Sequence, residues 1–187
     1  MRDGTQTKIR ITRVALELFA EKGVKETTIK DIAHAAKVSE GAMYRHYRGK
    51  DELAEMLFRE NYINFAGEMT HRLKNIQTFP EKIECIVNLF CEAFDRDPVL
   101  YSFLLFSQHD ELKKIRPEDP NPVDLIKKVV GKAMRQGEIP KTDVVLATAL
   151  IMGIVLQPAK FILYGRIKKK MKTLAPKLTQ SCLTVLQ

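Results

Sequence analysis

The sequence predicts an all-α chain: a small N-terminal three-helix domain joined by a long helix to a larger helical body. Three observations lead there. Apolar residues recur three and four apart along nearly the whole chain, no segment alternates with the two-residue period of a strand, and Gly, Pro and polar clusters interrupt the pattern at helix-length intervals. With 187 residues, 45% hydrophobic and 29% charged, the chain is long enough and apolar enough to bury a core.

In chain order, Ile11, Val14, Ala15, Leu18 and Phe19 form the stripe of a first helix, with Gly23 expected as its left-handed C-cap. Thr27 or Thr28 opens a second helix, Thr28 and Asp31 having capping-box spacing, and its stripe is Ile29, Ile32, Ala33 and Ala36. Lys37-Val38-Ser39 reads as a tight turn, Val38 plugging the core and Ser39 capping a short third helix that runs through His46. Gly49 begins a long fourth helix expected to reach Ile76 and stop before Pro80. Five further helices are expected near Glu81–Arg96, Val99–His109, Pro122–Gln136, Thr142–Ile167 and Leu174–Leu186. Pro158 should kink or split the eighth, and Pro176 falls in the first turn of the ninth. The domain division is expected at residues 1–52 and 53–187.

Charge is unevenly distributed. Residues 1–50 carry eleven Lys/Arg against six Asp/Glu, the middle of the chain is mildly acidic, and residues 165–187 carry six cations and no acid, for a net charge of +8. A basic front end on an acidic body suits a polyanionic partner, although ordinary solvated surface gives the same count. No stretch is read as long enough to cross a membrane. Val144–Leu156 comes closest and reads as a buried helix. Met1–Arg10 lacks an apolar signal core, so the expectation is a cytoplasmic protein with no membrane partner. Cys85, Cys91 and Cys182 form no metal-ligand pattern, and His34, His46, His71 and His109 are not gathered by spacing. With no glycine-rich phosphate loop, catalytic triad or paired carboxylates, neither a cofactor nor an enzyme is expected.

Two short helices joined by a tight turn behind a bracing helix make the layout of a helix-turn-helix DNA reader, here over residues 28–47. At 100° per residue Met43 faces inward while Gly41 and Arg45 project oppositely, flanked by Ala42 and Tyr44. Gly41 and Ala42 permit close approach to a groove. Arg45 can donate to a guanine edge or a phosphate, and Tyr44 offers a ring and a hydroxyl. Lys50 places a cation beside the free amides of a helix N-terminus, which suits a phosphate. Tyr47 reads as core, His46 as packing with a phosphate contact, and His34 as solvated.

The runs Thr27-Thr28-Ile29-Lys30-Asp31-Ile32-Ala33, Val38 through Tyr47 and Lys50-Asp51-Glu52-Leu53 closely resemble the signature of the tetracycline-repressor (TetR/AcrR) family; Ala15, Leu18, Phe19 and Gly23 match its first helix. The resemblance is strong over about the first 55 residues and beyond that extends to helix number and length. It implies DNA contacts from Thr28, Ser39, Ala42, Tyr44, Arg45, His46 and Lys50, a homodimer built on the last two helices, and a ligand cavity in the body. Gly49 stands where the family usually has Ser, and Tyr47 where it usually has Phe.

The apolar faces expected to pair across the dimer are Val144, Leu146, Ala147, Leu150, Ile151, Ile154 and Val155 on the eighth helix, and Leu174, Leu178, Cys182, Leu183 and Leu186 on the ninth. The expected cavity draws on Cys85, Leu89, Tyr101, Leu104, Leu105, Met152, Leu156, Gln157 and Phe161, an apolar lining for an apolar or amphipathic effector. The leading expectation is a repressor released from a palindromic operator by that effector. Its rivals are a ligand-independent activator or architectural DNA binder, and a helical enzyme with a basic accessory domain.

Overall fold

A computed structural model describes residues 4–187; Met1, Arg2, Asp3 and the side chain of His109 lie outside the described residues. Nine α-helices and one short 3-10 turn account for the regular structure among them: α1 Gly4–Glu26, α2 Ile29–Ala35, α3 Glu40–Tyr44, α4 Lys50–Leu73, α5 Phe79–Arg96, α6 Pro98–Glu111, α7 Pro122–Gln136, α8 Val144–Leu163 and α9 Met171–Thr184. The all-α expectation holds, and most helices lie within a few residues of their expected bounds.

The helices form two compact units, and their division differs from the one read in the sequence. The first unit runs through Asn61 and adds Val99–Pro117; the second holds Tyr62–Pro98 and Glu118–Gln187. The first unit therefore extends past residue 52 and takes in nearly all of α6. Its core explains why. Phe103 of α6 is fully buried, stacked on Phe19 of α1 at 5.8 Å between ring centres and meeting Phe58 of α4 edge-on at 6.3 Å. Ile11, Ala15, Ile32, Met43 and Leu53 complete that core, each fully buried.

In the second unit α5 is the central helix. Ile83, Val87, Leu89, Cys91 and Phe94 are buried along it, and it packs against α7 and lengthwise against α9, with α8 against both α7 and α9. Carboxylates from elsewhere in the unit close two helix N-termini. Asp95, near the end of α5, accepts hydrogen bonds from the amides of Met171 and Lys172 at 2.9 Å each, capping α9, whose own N-cap Lys170 has no capping side chain. Glu138, after α7, accepts from the Phe79 amide at 2.9 Å at the start of α5. These bonds are charge-assisted and bind segments far apart in sequence. Asp95→Ala should therefore lower stability by about 1–3 kcal/mol and free the start of α9. Denaturant unfolding checks the size, and faster amide exchange at Met171 and Lys172 checks the place.

Two local expectations are corrected and a third, at Pro158, is narrowed. Gly23 does have positive φ, but at φ 85° and ψ 159° it is an extended break rather than a left-handed cap. A side chain is disfavoured there, which suits glycine. Pro158 does not split α8, which runs on to Leu163, and Pro176 lies in the second turn of α9 because that helix begins at Met171. Reading past Pro158 also gives α8 20 residues, long and apolar enough by length and composition to cross a membrane, where the sequence reading stopped short. It is not buried all round. Ala147, Thr148, Ile151, Val155 and Ala159 form an inner seam, while Leu146, at 55% exposure, and Leu150, at 40%, lie on the outside. The apolar face read as one surface thus divides: Ala147, Ile151 and Val155 serve the chain's own core, as do Leu178 and Cys182 of α9 and Leu186 just beyond it.

Candidate nucleic-acid interface

The first unit builds its reader from local rules. Thr28 closes α2 with a complete capping box: its Oγ1 accepts from the Asp31 amide at 3.1 Å, and Asp31 Oδ2 accepts from the Thr28 amide at 2.9 Å. Lys22 of α1 donates to the same carboxylate at 2.9 Å. That ammonium, aided by the Thr28 bonds, holds the Asp31 carboxyl down to about 2. Because the folded value is depressed, this contribution to stability is present above the ordinary carboxylate range of about 4 and is lost as pH falls towards about 2. Asp31→Asn should lower the melting temperature at neutral pH, and the difference from the unsubstituted protein should shrink on acidification through that window.

The turn after α2 is a Schellman closure. The Val38 amide donates to the Ala33 carbonyl at 2.9 Å and the Lys37 amide to the His34 carbonyl at 3.1 Å, with Lys37 itself left-handed at φ 53°. This conformation disfavours lysine by about 1 kcal/mol relative to glycine. Ser39 then caps α3 by accepting from the Ala42 amide at 3.2 Å, leaving its hydroxyl proton free to donate outward. Alternation around α3 is sharp. Met43 is fully buried and Tyr47 nearly so, while Gly41, Tyr44, Arg45 and His46 are exposed. His46 lies farther out than the packing role read for it, its ring centre 6.2 Å from that of Tyr47. His34 is exposed as well. Tyr47 departs from an ideal core residue, since its buried hydroxyl has no hydrogen-bond partner among the described residues and burial, with Glu60 nearby, pushes it up to about 12.

Lys50 begins α4, half-buried, and its Nζ donates to the Lys25 carbonyl near the end of α1 at 2.7 Å. It therefore ties two helices together through one of its three N–H donors. Gly49 has no capping side chain, and Glu52 of the first turn accepts from the Arg48 amide just ahead of the helix.

Ser39, Ala42, Arg45 and His46 line one groove of about 450 Å³, together with Val38 and with Gly4, Thr7 and Arg10 from α1. Thr7 and Arg10 were not read from the sequence as site residues. Their approach to α3 depends on tertiary packing, and no local signal marks it. Gly41 and Tyr44 lie on the exposed side of α3 without lining that groove, and Thr28 and Lys50 stand at the adjacent helix starts.

Residues 11–57 match the model of the bacterial regulatory proteins of the tetR family. Residues 11–57 are thus similar to the N-terminal domain of that family. The chain is 26% identical to the HTH-type transcriptional repressor KstR2 of Mycolicibacterium smegmatis over 105 residues, 56% of this chain and 49% of that protein, so the match spans about half the relative's length. It is 26% identical to the fatty acid metabolism regulator protein of Bacillus subtilis over 152 residues, covering 79% of this chain and 78% of the other. Among solved structures, the fatty acid degradation regulator FadR of Bacillus halodurans superposes with a TM-score of 0.82 at 20% identity, covering 98% and 97% of the two chains. FadR of Bacillus subtilis in complex with stearoyl-CoA superposes at 0.78 and 20% identity, covering 96% and 100%. At that identity the superpositions establish the fold alone, over nearly the whole chain.

The residues expected to line a body cavity are not gathered in one unit. Tyr101, Leu104 and Leu105 belong to the first; Cys85, Leu89, Met152, Leu156, Gln157 and Phe161 belong to the second. Leu89 is buried, Cys85, Met152 and Leu156 are half-buried, and Gln157 and Phe161 are exposed. No group of three or more His, Cys, Asp or Glu able to hold a metal occurs among the described residues.

The guanidinium of Arg45 is exposed and able to donate to a base edge or a phosphate. Arg45→Ala should cost about 1–3 kcal/mol of operator affinity and relax preference at one base pair per half-site. A titration series over single-base operator variants checks it; equal loss on every variant would assign Arg45 to phosphate.

Proposed function

We propose that this protein is a cytoplasmic, homodimeric transcriptional repressor that binds a palindromic operator and releases it on binding a long-chain acyl effector. The observation that carries the reading is the tetR-family helix-turn-helix with Gly41, Tyr44, Arg45 and His46 exposed on one short, well-capped helix. Repression is supported by the names of its relatives. KstR2 is a repressor, and the fatty acid metabolism regulator aligns over most of both chains. The acyl effector is supported by the stearoyl-CoA complex of a structure with the same fold and by the apolar composition of the body helices.

In this reading the dimer forms through the outer faces of α8 and α9, which would set two recognition helices about 34–36 Å apart, one duplex turn. The acyl chain enters the second unit, where half-buried Cys85, Met152 and Leu156 accompany buried Leu89. Because α4 supplies residues to both units, a shift at its second-unit end is passed to the reader. A tenfold loss of operator affinity needs about 1.4 kcal/mol of preference for the releasing conformation.

The test begins by enriching operators from a random duplex pool with the full-length protein. Stearoyl-CoA, stearate and CoA are then added to the complex. Release by stearoyl-CoA, weakened by Leu156→Trp and matched by an equal loss of stearoyl-CoA affinity when operator is bound, is the expected result. Failure to enrich any sequence would overturn the DNA reading, and enrichment without release would overturn the effector.

A further inference from the structure

We propose that α1 carries a phosphate clamp for the DNA backbone, formed by Arg10 and Thr7 where they share a groove with Arg45 and His46 of the recognition segment. The proposal rests on the DNA-binding reading above and adds to it a helix outside the helix-turn-helix.

Thr7 and Arg10 are three apart in α1, hence on one face, and that face looks into the groove of about 450 Å³ beside α3. The electrostatics of this groove are one-sided. Arg10, Arg45 and His46 line it and, among the described residues, no carboxylate does. A second groove of the same unit, about 400 Å³ in volume, shows the contrast, because Arg48, Arg59 and Arg116 share it with Glu52, Glu55 and Glu60. Two other cations of α1 are paired with carboxylates: Arg13 with Glu17 at 2.8 Å and Lys22 with Asp31 at 2.9 Å. Arg10 is exposed and takes part in no ion pair among the described residues.

An α-helix with its side chains is about 10–12 Å across, and the major groove of B-DNA is about 12 Å wide. A recognition helix therefore fills the groove, and an element packed beside it meets the phosphate wall rather than a base edge. Arg10 is such a flanking group. Its planar guanidinium suits a bidentate bond to one phosphodiester, and the Thr7 hydroxyl is a second donor on the same face. Acting on the backbone, the clamp adds affinity and register without sequence preference.

The experiment measures binding of the full-length protein to its enriched operator and to a random-sequence duplex of equal length, between about 50 and 200 mM salt. Arg10→Ala should weaken both duplexes by the same several-fold factor and reduce the salt slope by about one unit, with Arg10→Lys restoring most of the slope. Unchanged affinity and slope in Arg10→Ala, while Arg45→Ala still weakens the operator, would overturn the clamp and leave the DNA reading standing. A loss confined to one base-pair position would overturn it too, by making Arg10 a base reader. Absence of binding by the unsubstituted protein would overturn both readings together.

Discussion

Phe103→Ala is expected to abolish operator binding, although Phe103 lies far along the chain from the helix-turn-helix. The ring is fully buried between Phe19 and Phe58, and its removal leaves a cavity in the core of the unit that carries α2 and α3. Phenylalanine-to-alanine changes at such sites cost about 3–5 kcal/mol, against total stabilities of about 5–15 kcal/mol. The loss should appear as a large fall in the denaturation midpoint reported from the first unit. Phe103→Leu should recover much of both stability and binding. A midpoint and an operator affinity equal to those of the unsubstituted protein would show that α6 is dispensable to the reader.

The second large effect is expected at α8. Leu146 and Leu150 lie one turn apart on its outer face, so Leu146→Glu combined with Leu150→Glu puts two carboxylates where a second copy should pack. Both positions are substantially exposed within the chain, so the fold should persist. Circular dichroism and melting should stay close to the unsubstituted protein while sedimentation reports a monomer. Operator affinity should then fall by orders of magnitude, because each half-site binds without the benefit of the other. A dimer that survives both glutamates would move the interface off this face.

Where structure follows from neighbours in sequence, the residues announce it. Thr28 with Asp31, and Ser39 before Ala42, are visible as caps because the partners are three residues apart. The 100° step of a helix suffices to turn Met43 inward and Arg45 outward. Placement that depends on distant partners is not legible this way. The aromatic trio joins three helices, and no feature of α6 by itself says that it belongs with α1 and α4 rather than with α5. Much the same holds for Thr7 and Arg10, which meet α3 through packing. On α8 the difficulty is different. Almost every position is apolar, so the periodicity that normally separates inside from outside carries little information, and Leu146 could not be told from Ala147. Lys37 shows a further limit, because hydrogen bonds to Ala33 and His34 hold a residue of ordinary type in a backbone conformation that glycine would have advertised.

The first unit is also discontinuous, and this bears on how the protein is made. Residues as far as Asn61 are synthesised first, then the 37 residues of Tyr62–Pro98 that belong elsewhere, and only then Val99–Pro117. A nascent chain displaying every residue of the helix-turn-helix still lacks the ring that seats Phe19 and Phe58. Until Phe103 has cleared the ribosome, those aromatics stay open to water or to substitute partners, and the long loop that must close before the final contact forms slows the step. The interval between emergence of the reader and arrival of α6 is when this chain has most need of a chaperone, and a pause in translation before residue 99 would lengthen that exposure.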